Sequence, residues 1–197
     1  MRQRVNQDGV TDLVTTNRYL IAVIGDVKLN TGTKRYLLAE NLGQNLIDNG
    51  YRLLTGVADG ITEAVSNGAR HSFYYAEGDI VGIHQRNDSD PSTDTCISTC
   101  LLKVTHNVIV STADAVIAIG GDAGTVLDIA NAWTLNRLIL AYRVDGVSGK
   151  IADKKVNPRI RYPDIPEDRV YGVNSAYEAI ACLAQKIDLY TRLNKTI

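Results

Sequence analysis

Apolar and polar positions along this chain fall into two alternating rhythms. Residues 19–25 (Tyr-Leu-Ile-Ala-Val-Ile-Gly) form a short, near-continuous apolar run that ends in glycine. A strand buried on both faces of a parallel sheet has this pattern. Residues 34–49 then carry Leu37, Leu38, Leu42, Leu46 and Ile47 at helical spacing, and Asn49-Gly50 closes the segment as a C-cap signal. The pair repeats. Strands are predicted over 51–55, 79–84, 114–119 and 137–142, with helices over 60–69, 124–135 and 175–193. Strands alternating with helices at this spacing specify an α/β fold, a Rossmann-like doubly wound parallel sheet with helices on both faces.

Three segments lack either rhythm. Residues 1–18 have no periodic apolar pattern and read as a flexible arm, which leaves 19–197 as a single nucleotide-binding domain. Residues 85–99 are rich in Asp, Ser and Thr, include Pro91, and read as a loop. Residues 143–167 are polar and hold Gly146, Gly149 and three of the four prolines, a loop long enough to expect a function of it. Residues 101–113 fit either a strand or a helix, and periodicity alone does not separate the two.

Three of the predicted strands run into glycine-bearing turns: Gly25 after the first, Gly56 to Gly60 after the second, and Gly120 to Gly124 after the fourth. In an open parallel sheet these turns share one edge, where ligands bind beyond the strand C-termini. The richest is Ile119-Gly120-Gly121-Asp122-Ala123-Gly124-Thr125-Val126-Leu127-Asp128. Glycine lets backbone amides approach a ligand. A helix starting near Gly124 would add unpaired N–H groups and the positive end of its dipole, which suits phosphate. Thr125 is placed to cap that helix or to donate to a phosphate oxygen. Asp128, one turn on, is placed to reach a ribose. Gly25, Gly56, Gly60, Gly120, Gly121, Asp122, Gly124 and Thr125 are therefore the expected ligand-binding residues.

Composition narrows the partners. Twenty-one basic residues face 22 acidic ones, a net charge of −1, and no basic stripe supports nucleic-acid binding. No apolar run approaches the roughly 20 residues that span a bilayer, so no membrane partner is expected and a cytoplasmic location is. The cysteines are Cys96, Cys100 and Cys182. An odd number with no completing histidine reads as reduced structural thiols, with no metal site. Asp26, Glu63 and His84 are read as a turn residue, a solvated or intersubunit acid, and a histidine at the ligand edge. A dehydrogenase is disfavoured, because Gly25 is followed by Asp26-Val27-Lys28 rather than a G-x-G-x-x-G turn.

Several segments occur together in a fixed order: Gly56-Val57-Ala58-Asp59-Gly60-Ile61-Thr62-Glu63-Ala64, Gly68-Ala69, His106-Asn107-Val108-Ile109-Val110, Asp114-Ala115-Val116-Ile117-Ala118-Ile119-Gly120-Gly121 and Gly124-Thr125-Val126-Leu127-Asp128. This order resembles the LOG-type (Lonely Guy) branch of the SLOG superfamily, over roughly residues 19–142. The resemblance implies a modified Rossmann fold, a homodimer or higher homo-oligomer, and a nucleotide lying across the turns. The superfamily includes phosphoribohydrolases that cleave the N-glycosidic bond of nucleoside 5′-monophosphates, molybdenum-cofactor carriers, and sensors of signalling nucleotides. In the hydrolases an arginine and a glutamate carry the reaction. Their positions here hold His106 and Asp128, and the glycine turn is one residue longer.

These departures bear on chemistry. Asp for Glu withdraws the carboxylate by one methylene, and a misplacement near 1 Å can cost ~10²-fold in rate. His for Arg removes a permanent bidentate cation. The sequence thus favours a carrier or sensor of a phosphate-bearing nucleotide or nucleotide-derived ligand. The alternative is a phosphoribohydrolase with His106 and Asp128 as its catalytic residues. No cofactor beyond that ligand is implied, and the base, the phosphate count and the choice between dinucleotide and pterin stay open.

Overall fold

A computed structural model describes residues 18–56, 59–85, 92–99 and 105–194; of the expected arm at 1–18, residues 1–17 lie outside them. The first strand, β1 (Leu20–Gly25), sits at the middle of a seven-stranded parallel sheet. β2 (Arg52–Thr55), β3 (Ile80–His84) and β4 (Thr95–Ser98) extend it on one side. β5 (Ala115–Ile119), β6 (Leu138–Tyr142) and β7 (Tyr171–Val173) extend it on the other, giving the order β4-β3-β2-β1-β5-β6-β7. The crossovers are α1 (Lys34–Asp48), α2 (Ile61–Arg70), α3 (Thr105–Thr112), α4 (Ala123–Thr134) and α5 (Val147–Ile151), and α6 (Ala176–Asn194) closes the chain.

The continuous apolar runs have the cause expected of them: the sheet is buried on both faces. In β1, Ile21 and Val23 face a core shared with α1, α2 and α6. Ala22 and Ile24 face a second core shared with α3 and α4. β5 divides the same way, Ala115, Ile117 and Ile119 against Val116 and Ala118. Strand order reverses between β1 and β5: β2 to β4 are added on one side of β1, and β5 to β7 on the other, all parallel. This topological switch point opens a crevice at the strand C-termini.

Two expectations need correcting, and one open segment is settled. The polar 85–99 segment is not all loop, because Thr95–Ser98 pairs in parallel with β3 from Val81↔Thr95 to His84↔Ser98. Thr95, Cys96 and Ile97 are exposed, as on an edge strand, so no apolar run announces it. Cys96 lies on this strand; Cys100 falls outside the described residues. The 143–167 loop contains α5, and β7 follows it, a three-residue edge strand too short to show a pattern. Residues 101–113 resolve as helix over Thr105–Thr112.

Candidate functional site

The turns after β1 and β5 are built against each other. A Cβ on Gly25 would lie 2.0 Å from the Ile119 carbonyl oxygen, so only glycine lets the two strand ends approach this closely. Gly120 has φ 65°, and a Cβ there would lie 2.1 Å from Asp26 Oδ2. Asp26 acts as a clasp. Its Oδ1 accepts from the Gly121 amide at 3.1 Å, and its carbonyl accepts from Ile61 N at 2.9 Å at the start of α2. Its Oδ2 lies 2.9 Å from Arg35 Nη1, an ion pair without hydrogen-bond alignment.

The predicted phosphate cradle is partly occupied by the protein itself. The Gly120 amide donates to Ser148 Oγ at 2.8 Å, the Gly121 amide to Asp26, and the Gly124 amide to Asp122 Oδ1 at 3.0 Å. Asp122, not Thr125, is the N-cap of α4. Thr125 is buried beneath Gly121, and its hydroxyl donates to the Gly25 carbonyl at 3.4 Å. The amides of Ala123 and Thr125 make no hydrogen bond among the described residues. They are the donors that the α4 N-terminus still offers.

Asp128 and His106 come together here. Asp128 is 4% exposed, a buried carboxylate in the first turns of α4. His106 Nδ1 lies 3.2 Å from Asp128 Oδ2, while Asp128 Oδ1 is buried with no partner among the described residues. The histidine, on α3, is more than half exposed. The hydrogen bond to Asp128 raises its pKa above 6.5, against the opposing effect of burial.

The other residues singled out by sequence occupy different places on these elements. Gly60 is the N-cap of α2, Gly56 follows β2, and residues 57–58 between them are outside the described set. Glu63 is exposed on α2. His84 is buried at the end of β3. Trp133 is a core residue whose Nε1 donates to Asn157 at 3.1 Å. Burial pushes the Cys182 thiol up to about 11, which leaves it a poor nucleophile. Among the described residues no cluster of three His, Cys, Asp or Glu could hold a metal, and no helix is long and apolar enough to cross a membrane.

The sequence reading missed Arg35, Ser148 and a group of cations. A cavity of about 670 Å³ opens between the N-terminus of α1 and the β6–α5 turn, with Lys34, Arg35, Arg143 and Lys150 in its walls. No local signal unites these positions; β6 and α1 are brought together only by the sheet order.

Comparison with known proteins agrees with this architecture. The SLOG cluster4 family matches residues 18–169. An uncharacterized protein of Archaeoglobus fulgidus is 31% identical over 112 residues, which is 56% of this chain and 70% of that protein. The molybdenum cofactor binding protein of Rippkaea orientalis superposes with a TM-score of 0.70 at 24% identity, over 88% of this chain and 99% of that one. The molybdenum cofactor carrier protein of Chlamydomonas reinhardtii gives 0.69 at 20% identity, over 85% and 98%. At these identities the two structures speak for the fold.

Proposed function

The chain belongs to the SLOG cluster4 family, and from that premise we propose that it carries or senses a phosphate-bearing nucleotide or pterin-type ligand. The Lonely Guy branch is a finer placement within this proposal. The observation that carries it is the half-used carboxylate of Asp128. A buried, unpartnered carboxylate oxygen is costly, and a ligand hydroxyl donating to it would remove that cost. One turn earlier on the same helix, the free amides of Ala123 and Thr125 offer a place for a phosphate. A molecule with a phosphate and a nearby hydroxyl, as in a nucleoside 5′-monophosphate, matches this pair of features.

The names of the two solved neighbours, a molybdenum cofactor binding protein and a carrier protein, support a carrier role and favour the pterin option. A homo-oligomer belongs to the same reading, since α4 leaves Val126 and Leu127 more than half exposed. A cytoplasmic site of action is part of it as well.

The second reading is phosphoribohydrolysis, which the His106–Asp128 contact favours. Asp128 would stabilise the ribosyl cation as the glycosidic bond breaks, with His106 holding the carboxylate in place. The shortened acid and the imidazole in place of a guanidinium argue for slow turnover.

A thermal-shift titration combined with base-release measurement tests both. AMP is expected to raise the melting midpoint and to release adenine slowly or not at all. Rapid release abolished by Asp128→Asn would replace the carrier reading with the enzyme, and a midpoint unmoved by every nucleotide and pterin tried would remove both.

A further inference from the structure

The cavity between the start of α1 and the β6–α5 turn lies outside the Asp128 centre, and its walls are unusual in charge. At about 670 Å³ it is large enough for a small-molecule ligand. Its cations come from two separate segments, Lys34 and Arg35 on α1, and Arg143 and Lys150 around α5. Two are already committed: Arg35 pairs with Asp26 at 2.9 Å, and Arg143 with Asp153 at 2.8 Å. Lys34 and Lys150 have no carboxylate partner among the described residues, and Asp145 is the remaining acid in the wall. The first turn of α1 holds no acid, so the positive end of its dipole adds to the same field.

The cavity adjoins the glycine turn through Gly146, where a Cβ would lie 2.9 Å from the Gly120 carbonyl carbon. Arg35 also approaches the Asp145 carbonyl at 3.4 Å, and Val147 N and Ser148 N donate to the Gly121 and Gly120 carbonyls at 3.1 and 2.9 Å. The turn after β5 and the cavity are thus two sides of one hydrogen-bonded wall. Solvated surface lysines are commonplace. Two unpaired lysines in a concave wall, beside two arginines held in place by acids, make a receptor for a compact polyanion.

We propose that this cavity is a second anion site, one that takes a phosphate or diphosphate group through Lys34 and Lys150 with Arg35 and Arg143 as the ordered frame. Assigning that group to the same ligand that reaches Asp128 rests on the carrier reading; the anion site itself does not. A ligand gripped at both sites would carry two anionic groups.

Calorimetric titration of the full chain with inorganic pyrophosphate tests the site. Wild type is expected to bind, more weakly as salt is raised. The Lys34→Ala/Lys150→Ala variant is expected to bind at least about tenfold more weakly, and Lys34→Arg/Lys150→Arg to recover most of the loss. Both lysines are exposed, and an unchanged melting midpoint confirms that each variant is folded. Asp128→Asn is expected to leave pyrophosphate binding intact. No binding by wild type, equal binding by the alanine variant, or loss in Asp128→Asn alone would each overturn the site. AMP titrated in parallel separates the two proposals. Pyrophosphate binding through the lysines without any nucleotide or pterin binding keeps the cavity and ends the carrier reading. Nucleotide binding without pyrophosphate binding ends the cavity alone.

Discussion

Protonation of His106 governs how firmly Asp128 is held. The hydrogen bond to Asp128 lifts the imidazole pKa above its ordinary 6.5, and burial works against it. A histidine whose folded pKa is raised stabilises the fold fully at pH below the unfolded value, about 6.5. That contribution is lost as pH rises through the folded value. An NMR titration of the His106 ring is expected to give a pKa above 6.5, and Asp128→Asn is expected to lower it. An unchanged pKa in the variant would show that Asp128 does not hold the ring. The family resemblance pointed to both residues, but not to their state. Nothing in a sequence distinguishes a solvated first-turn acid from a carboxylate that is 4% exposed, because α3 supplies the covering histidine from a separate crossover.

At the scale of the element, α4 is a helix that caps itself. Asp122 is exposed, and its side chain occupies the Gly124 amide. Replacing it with alanine is expected to cost about 1 kcal/mol in chemical denaturation, the ordinary price of a lost N-cap. Asp122→Asn keeps the cap and removes a negative charge from the mouth of the proposed phosphate site. It is therefore expected to change stability by less than about 0.5 kcal/mol while tightening AMP binding. Weaker AMP binding in Asp122→Asn would show that the carboxylate itself contacts the ligand. The helix was readable to within one residue at its start, 124 against Ala123. The choice of cap was not readable, since Asp122 and Thr125 are both good capping residues and burial under Gly121 decides between them.

Across the whole molecule, the long 143–167 segment is tied down by a buried ion pair. Arg161 has no exposed side-chain surface. It donates to Asp168 twice, at 2.7 and 2.6 Å, and lies 3.8 Å from the centre of the Trp133 ring. Tyr190 on α6 donates to the same carboxylate, so one cluster joins α4, the loop and the closing helix. Removing one member leaves a buried charge without its partner. Asp168→Ala is expected to destabilise the fold by about 3–5 kcal/mol and to lower the melting midpoint by on the order of 10 °C. A shift of only a degree or two would show that the cluster is dispensable. The cluster also fixes the chain that returns from the cationic cavity to β7, which links the stability of the loop to the shape of that cavity.

The sequence alone determined the α/β class, the places of five strands and the turns that meet at the sheet edge. Burial on both sheet faces forces continuous apolar runs, and helix crossovers force a 3.6-residue period. These are local patterns that survive without coordinates. The edge strands β4 and β7 left no such trace, because β4 is largely exposed and β7, though Tyr171 and Val173 are buried, is only three residues long. Tertiary structure alone decided which amides of the glycine turn stay free, because Asp26 and Ser148 lie 95 and 28 residues from the amides they occupy. It likewise decided that Lys34 and Lys150, more than a hundred positions apart, share one cavity. Sheet order, which no local pattern records, sets both.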